Sequence, residues 1–253
     1  MSDAFIAQRL AAGEMNALGQ LHGLPVPQWQ PCPAPQALVL EGQYCRLEPL
    51  SAERHAAALF ESMRSDAEGA NWTYLGYGPF ADLASYQQWL RSMEGLADPQ
   101  FYTIMERDSG HAVGLASYLR IDPANGVIEV GHLNFSPRLQ RTVAATEAMY
   151  LMMRHAFELG YRRYEWKCNA LNVPSRRAAE RLGFLFEGLF RQSMISKGRN
   201  RDTAWYSILD GEWPAVRQRL EQWLAIDNFD SHGMQRLSLG RLMAEWRAEI
   251  TAM

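Results

Sequence analysis

VIEVGHLNFSPRLQRTVAATEAM, residues 127–149, changes its period half-way along. The first nine residues have the β-branched and apolar composition of a strand, whereas from Thr142 onward small and apolar residues return every three or four positions, as on a helix. Between them a short loop feeds the helix, and Thr142 is well placed to cap it. A helix starting near Thr142 or Val143 leaves its first amides without intrahelical acceptors, and its dipole adds partial positive charge there, so an anion can occupy that end. Arg138 and Arg141 flank the loop, and small Ala144 and Ala145 permit close backbone approach. Val143 argues the other way, because a β-branched residue restricts the backbone of a tight cradle. Taken alone, the stretch reads first as an ordinary capped helix.

Working outward, "QFYTIMER", "HAVGLASYLRI" and "VIEVGHLNF" are three strands joined by short turns, which implies an antiparallel meander. The helix continues through Ala145, Ala148, Met149, Met152, Ala156 and Leu159 to a stop at Gly160. "YRRYEWKCN" follows as a strand, "VPSRRAAERLGF" as a short helix, and "FLFEGLFRQSMI" with "DTAWYSILD" as a strand pair around "KGRN". Helices over 214–226 and 236–251 close the chain. Upstream, "ALVLEGQYCRLEPL" has strand composition, Ser51 stands where a helix cap is expected, and the aromatic segment "NWTYLGYGPF" precedes the helix "ADLASYQQWLRSM". Residues 4–19 carry a roughly amphipathic helical pattern. The five prolines of "LPVPQWQPCPAP" make an extended linker with Trp29 as an anchor. The expected class is α+β: an extension over 1–36, one mixed-sheet domain over 37–211, and a helical extension over 212–253.

The 253 residues, 47% hydrophobic and 21% charged, suit an ordinary globular chain with a sizeable core. A formal charge of −3 gives no basic field that would draw nucleic acid or an anionic membrane, and no apolar run approaches the length of a membrane span. Cys32, Cys45 and Cys168 form no CxxC pair, which argues against a disulfide framework or a zinc cluster and for a reducing, cytoplasmic setting. There is no HExxH, no Ser-His-Asp order and no metal-ligand cluster, so no metal is expected.

About thirty residues after the loop comes "CNALNVPSRRAAERLGFLFEG". With it, the window from Val127 to Gly188 resembles the GNAT superfamily of N-acetyltransferases, in particular the branch that includes the ribosomal-protein alanine N-acetyltransferases. That family has a strand, a Gln/Arg-x-x-Gly-x-Gly/Ala loop opening a long helix, another strand, then Asn-x-x-Ser and a helix ending in Gly-Phe. Here Gln140 starts the loop and Ala145 ends it, Asn172 and Ser175 supply the second motif, and Gly183 and Phe184 close it. The resemblance covers roughly residues 37–211. It implies a GNAT-like fold, a mixed and mostly antiparallel central sheet flanked by helices in α/β/α layers. It also implies acetyl-CoA as acyl donor and an amine as acceptor. The pyrophosphate is then expected on the amides of Arg141, Thr142, Val143, Ala144 and Ala145, and the pantetheine arm beside the backbone of Leu133, Asn134 and Phe135. Asn172 either hydrogen-bonds that arm or caps its helix, and Arg176 or Arg177 either reaches the phosphates or lies on a solvated face.

Direct transfer needs a neutral amine, stabilisation of the developing oxyanion and a proton for the leaving thiolate. Many members place a tyrosine in the helix after the Asn motif; the matching position here is Ala179, so Ser175, which that branch carries at the same place, either serves as the substitute or donates to its own helix. Glu129 is the expected base, because a carboxylate in the middle of a central strand is costly unless paired or functional; the alternative pairs it with an arginine on a neighbouring strand. His132 is a rival base, and Cys168 reads as packing. Trp72, Tyr74 and Tyr77 are expected acceptor walls or core, and Asp202 either attracts a cationic amine or pairs with a nearby arginine. A second reading keeps coenzyme A binding but loses catalysis, motivated by Val143 and the missing tyrosine. The terminal extensions leave a homodimer face open.

Overall fold

The computed structural model describes residues 13–252, and the chain divides into two units, residues 1–31 and 32–253. In the first, β1 (Gly13–Met15) and β2 (Leu21–Gly23) form an antiparallel hairpin. The helix expected over 4–19 is therefore corrected over 13–19, and residues 4–12 lie outside the described residues. The reason is local: the Asn16 side chain accepts the amides of Leu18 and Gln20, both at 2.9 Å, and Gly19 takes φ +74°. An Asx turn of this kind competes directly with helix hydrogen bonding.

The second unit is built on an eight-stranded sheet in the order β3-β4-β5-β6-β7-β8-β10-β9. β3 (Leu40–Glu41) and β4 (Cys45–Pro49) lead into α1 (Ala52–Met63) and α2 (Leu83–Met93). The meander follows as β5 (Gln100–Glu106), β6 (Ala112–Asp122) and β7 (Val127–Phe135), and then α3 (Val143–Glu158) crosses to β8 (Arg163–Asn169). The chain ends with α4 (Val173–Arg181), the hairpin β9 (Leu185–Ser196) and β10 (Arg199–Leu209), α5 (Trp213–Leu224) and α6 (Leu239–Ala252). Every strand pair is antiparallel except β7 with β8, as a helical crossover requires. The result is the mixed, mostly antiparallel sheet flanked by helices that the sequence resemblance implies.

Alternation along the strands sorts the core into two layers. Phe101 and Met105 pack with Leu59, Trp72, Tyr86 and Leu90 under α1 and α2. Tyr102 points the other way, edge-on to Tyr118, whose hydroxyl donates to the Met152 carbonyl of α3 at 2.6 Å. Ser51 occupies the cap position of α1, but its hydroxyl makes no cap bond; Glu94, from the end of α2, accepts the Ala52 amide at 3.0 Å instead.

One carboxylate ties the start of α3 to the sheet. Glu147 is buried and accepts the amides of Gln43, Tyr44 and Cys45 at 2.7, 2.6 and 2.8 Å, closing the β3–β4 turn. Gly42 is needed there, since a Cβ would stand 2.8 Å from the Cys45 carbonyl and 2.5 Å from the carboxylate. Glu147→Ala strands three amides and is expected to lower stability by about 3 kcal/mol. For a chain of this size that is a fall in Tm of roughly 6–12 °C by calorimetry; an unchanged Tm would remove the carboxylate from this role.

Candidate active site

β7 and β8 pair over four positions, from Val127 with Arg163 to Val130 with Trp166, and then part. The cause sits in β7. His132 takes φ +52°, and opposite it the β6 register jumps between Leu115 and Ser117, so two residues of β7 face one of β6. A bulge of this kind bends the strand that carries it. β7 keeps β6 as partner through Phe135, and β8 keeps β10 through Asn169, so the sheet forks.

The loop beyond β7 is clamped at the fork. Gln140 Nε2 donates to the Phe135 carbonyl at 2.8 Å and to Asn71 Oδ1 at 2.7 Å, while Asn71 Nδ2 donates to the same carbonyl at 3.0 Å. That carbonyl is thus engaged, and Asn134 is registered with Leu115 of β6, so of the expected Leu133, Asn134 and Phe135 backbone it is Leu133, inside the bulge, that has no ladder partner; among the described residues both polar atoms of the buried Asn134 side chain lack a partner. Arg141 takes φ +63°, and Thr142 caps α3, accepting the Ala145 amide at 3.2 Å. The left-handed turn therefore falls on Arg141, and Val143 is already helical. The Ala145 amide belongs to the cap, whereas those of Arg141, Val143 and Ala144 make no hydrogen bond among the described residues.

Whereas Ala144 lines a separate surface pocket with Glu106 and Arg138, Arg141 and Val143 line a groove of about 810 Å³ between the N-terminal turns of α3 and the flank of α4. Arg141, Arg177 and Arg181 line it, and Trp223, Phe229 and Met234, from the end of the chain, form its far wall. Val143 lines the groove and also the neighbouring surface pocket. Arg176 does not: its guanidinium donates to the Ala170 carbonyl at 3.1 Å, so Arg177 is the member of the pair that faces a ligand. Orphan amides, a helix N-terminus and cationic side chains in one groove fit a pyrophosphate.

On the other side of Trp166, the fork opens into a smaller cavity of about 190 Å³. Ser175 lines it, with Oγ accepting the Trp166 indole N–H at 3.1 Å; Asn172 lines it too, while capping α4 by accepting the Ser175 amide at 3.2 Å. Burial raises the Cys168 thiol, and a hydrogen bond from Ser175 opposes that rise. Glu129 lies on the cavity wall, buried, with Arg120 donating to both carboxylate oxygens at 2.9 Å and Lys167 at 2.9 Å. Burial pushes its pKa up, against the pull of Lys167 and Arg120. His132 also lines the cavity; burial, helped by the Arg120 charge, pushes its imidazolium down to about 4, so the ring is neutral at pH 7.

A family model for the Acetyltransferase (GNAT) domain matches residues 45–185. The chain belongs to the GNAT family. The general reaction of that family is acetyl-CoA-dependent N-acetylation. Among similar proteins, the uncharacterised N-acetyltransferase p20 of Bacillus licheniformis is 26% identical over 179 residues, 66% of this chain and 99% of that one. The ribosomal-protein-serine acetyltransferase of Escherichia coli is 30% identical over 103 residues, 40% of this chain and 56% of that one. The crystal structure of a GCN5-related N-acetyltransferase from Brucella melitensis aligns with a TM-score of 0.85 at 47% identity, covering 87% of this chain and 100% of that one.

Within this GNAT core, three of the expected acceptor residues lie elsewhere. Trp72 is buried and packs edge-on to Phe80 and Tyr86. Tyr77 stacks between Trp89, at 4.2 Å, and His132, at 5.6 Å, supporting the cavity wall from behind. Asp202 neither faces the cavity nor pairs with an arginine; it accepts the Gln192 amide at 2.7 Å and Asn200 Nδ2 at 3.0 Å, closing the β9–β10 hairpin. Tyr74 does line the cavity, its hydroxyl donating to the Leu171 carbonyl at 3.3 Å. Trp166, Lys167, Arg120 and Arg201 also line it and were not singled out from sequence. Their signal, charges spaced by two in "YEWKC", has meaning only once Glu129 is registered beside Glu165. Removing the exposed cation of the groove with Arg177→Ala is expected to weaken coenzyme A by roughly threefold to fivefold, an exposed ion pair's worth of about 1 kcal/mol. Calorimetric titration at two salt concentrations checks it, and an unchanged Kd would place Arg177 outside the site.

Proposed function

We propose that this GNAT enzyme acetylates a primary amine, on a small molecule or a peptide N-terminus, by direct attack on acetyl-CoA in a ternary complex. The observation that carries this reading is the fork itself. It joins a groove suited to a pyrophosphate to a cavity that holds a hydroxyl and a buried carboxylate. Coenzyme A supplies the acyl thioester.

The chain's own residues then divide the work. Arg177, Arg181 and the amides of Arg141 and Val143 bind phosphate. The Leu133 backbone, inside the bulge and unpaired on the β8 side, holds the arm and offers an amide to the oxyanion. Ser175 is the hydroxyl assigned to the leaving sulfur. The indole N–H occupies one of its lone pairs, which fixes Oγ, and its proton, which meets the Cys168 thiol at rest, turns to the leaving sulfur. Glu129 is the proton acceptor. Its oxygens already face Arg120 and Lys167, so the proton reaches it through water rather than by direct contact. Asn172 serves by capping α4, which fixes Ser175 at the cavity wall.

The three cysteines are free and buried, and no helix among the described residues is long and apolar enough to cross a membrane. We place the reaction in the cytoplasm.

The first test follows free thiol from acetyl-CoA over an amine panel. Turnover supports transfer; a coenzyme-dependent rise in Tm with no turnover on any amine would favour the binding-only reading. Ser175→Ala is expected to lower kcat by about 10²-fold with coenzyme Kd changed less than roughly twofold; an unchanged kcat would leave the thiolate to water. Glu129→Gln is expected to lower kcat by a similar factor, about 10²-fold. The pH profile separates a base from a structural ion pair. A base must be ionised, so kcat/KM rises with pH through a carboxyl pKa lifted by burial, and that limb vanishes in the variant. A limb that persists would assign it to another group.

A further inference from the structure

The small cavity has a charge balance that the reaction does not explain. Arg120 and Lys167 both meet Glu129, and Lys167 is further held by Glu165 at 2.7 Å. Arg201, on β10, lines the same cavity with no such partner. Its guanidinium makes no hydrogen bond or ion pair among the described residues, and its Nε is buried and unsatisfied. On the cavity wall one carboxylate, Glu129, thus faces three cations; Lys167 has Glu165 behind it as well, and Arg201, half-buried, is the cation left over. A desolvated guanidinium without an anion is costly, and a planar fork of donors is suited to a carboxylate or a phosphate.

Coenzyme A is not the missing anion. Its phosphates fit the groove of Arg141, Arg177 and Arg181, and the two spaces share only Trp166. The acceptor is the remaining occupant. Resting on the acyl-transfer reading above, we propose that the acceptor is a small primary amine that carries its own anionic group, a carboxylate or a phosphate, and that Arg201 binds that group. At about 190 Å³ the cavity lies below the roughly 300–1,000 Å³ of drug-sized pockets, so amine and anion stand only a few bonds apart. The same surplus charge repels polyamines.

The test uses the full chain, acetyl-CoA and matched amines: glycine against glycinamide, β-alanine against β-alaninamide, phosphoethanolamine against ethanolamine, with spermidine as the polycation. Rates of thiol release are compared per neutral amine present, and binding to the coenzyme-loaded protein is followed by calorimetry. At least one anionic member is expected to exceed its uncharged partner by about tenfold or more in kcat/KM. The glycine and phosphoethanolamine arms decide between carboxylate and phosphate. In Arg201→Met that ratio is expected to collapse towards one, with coenzyme Kd unchanged. Uncharged partners that react equally well, a preference for spermidine, or a ratio that survives Arg201→Met would each overturn the inference. If coenzyme A raises Tm but no anionic amine reacts or binds, the inference fails while the coenzyme site stands; if coenzyme A does not bind, both fail.

Discussion

A single left-handed residue, His132, turns β7 away from β8, and the rest of the site depends on that divergence. Without it the parallel pair would continue to Asn169, and the backbone that now faces open space would be spent on ladder hydrogen bonds. A non-glycine residue at φ +52° costs on the order of 1 kcal/mol or more, and it persists only where its surroundings hold it. Here Tyr77 stacks on the ring at 5.6 Å and its hydroxyl meets Nδ1 at 3.3 Å, with Phe101 at 4.9 Å on the same ring. Aromatics that look like acceptor walls in the sequence thus serve to hold the bulge.

Below the fork, charges alternate through the buried floor. Arg120, Glu129, Lys167, Glu165, Arg163 and Glu187 follow one another at contacts between 2.5 and 2.9 Å, and Lys167 stands 3.6 Å above the Trp205 ring. Burying ions is costly unless each is paired, and such chains give more specificity than stability. The network holds the last paired residues of β7 and β8 in one register while leaving a carboxylate at the cavity wall. Burial and pairing pull its pKa in opposite directions, so the group proposed as proton acceptor is also a structural ion.

The coenzyme side is completed from far along the chain. Arg181, on α4, lies 4.9 Å from the Trp223 ring of α5 and donates to Thr146 of α3 at 3.1 Å, tying three helices around the groove. Trp223 of α5 and the segment after it therefore line the groove proposed for the coenzyme. Glu147 fixes the other end of the same helix turn to the β3–β4 turn, so the free amides at the start of α3 rest on a braced element.

Much of this was legible in the residues themselves. The meander, the crossover helix, the cap at Thr142 and the Asn172–Ser175 pair are local patterns, set by period, turn chemistry and capping, and they carried the fold and the family. Local chemistry also accounts for the main misreading: the Asn16 turn and Gly19 make a hairpin where apolar spacing alone suggested a helix. What only the tertiary structure decided is which side chains meet across elements. Glu129 gains Arg120 and Lys167 from two neighbouring strands, Trp72 goes to the core, Asp202 closes a hairpin, and Arg201 is left without an anion. Strand register brings residues dozens of positions apart to within 3 Å, and a sequence read one segment at a time does not contain that register.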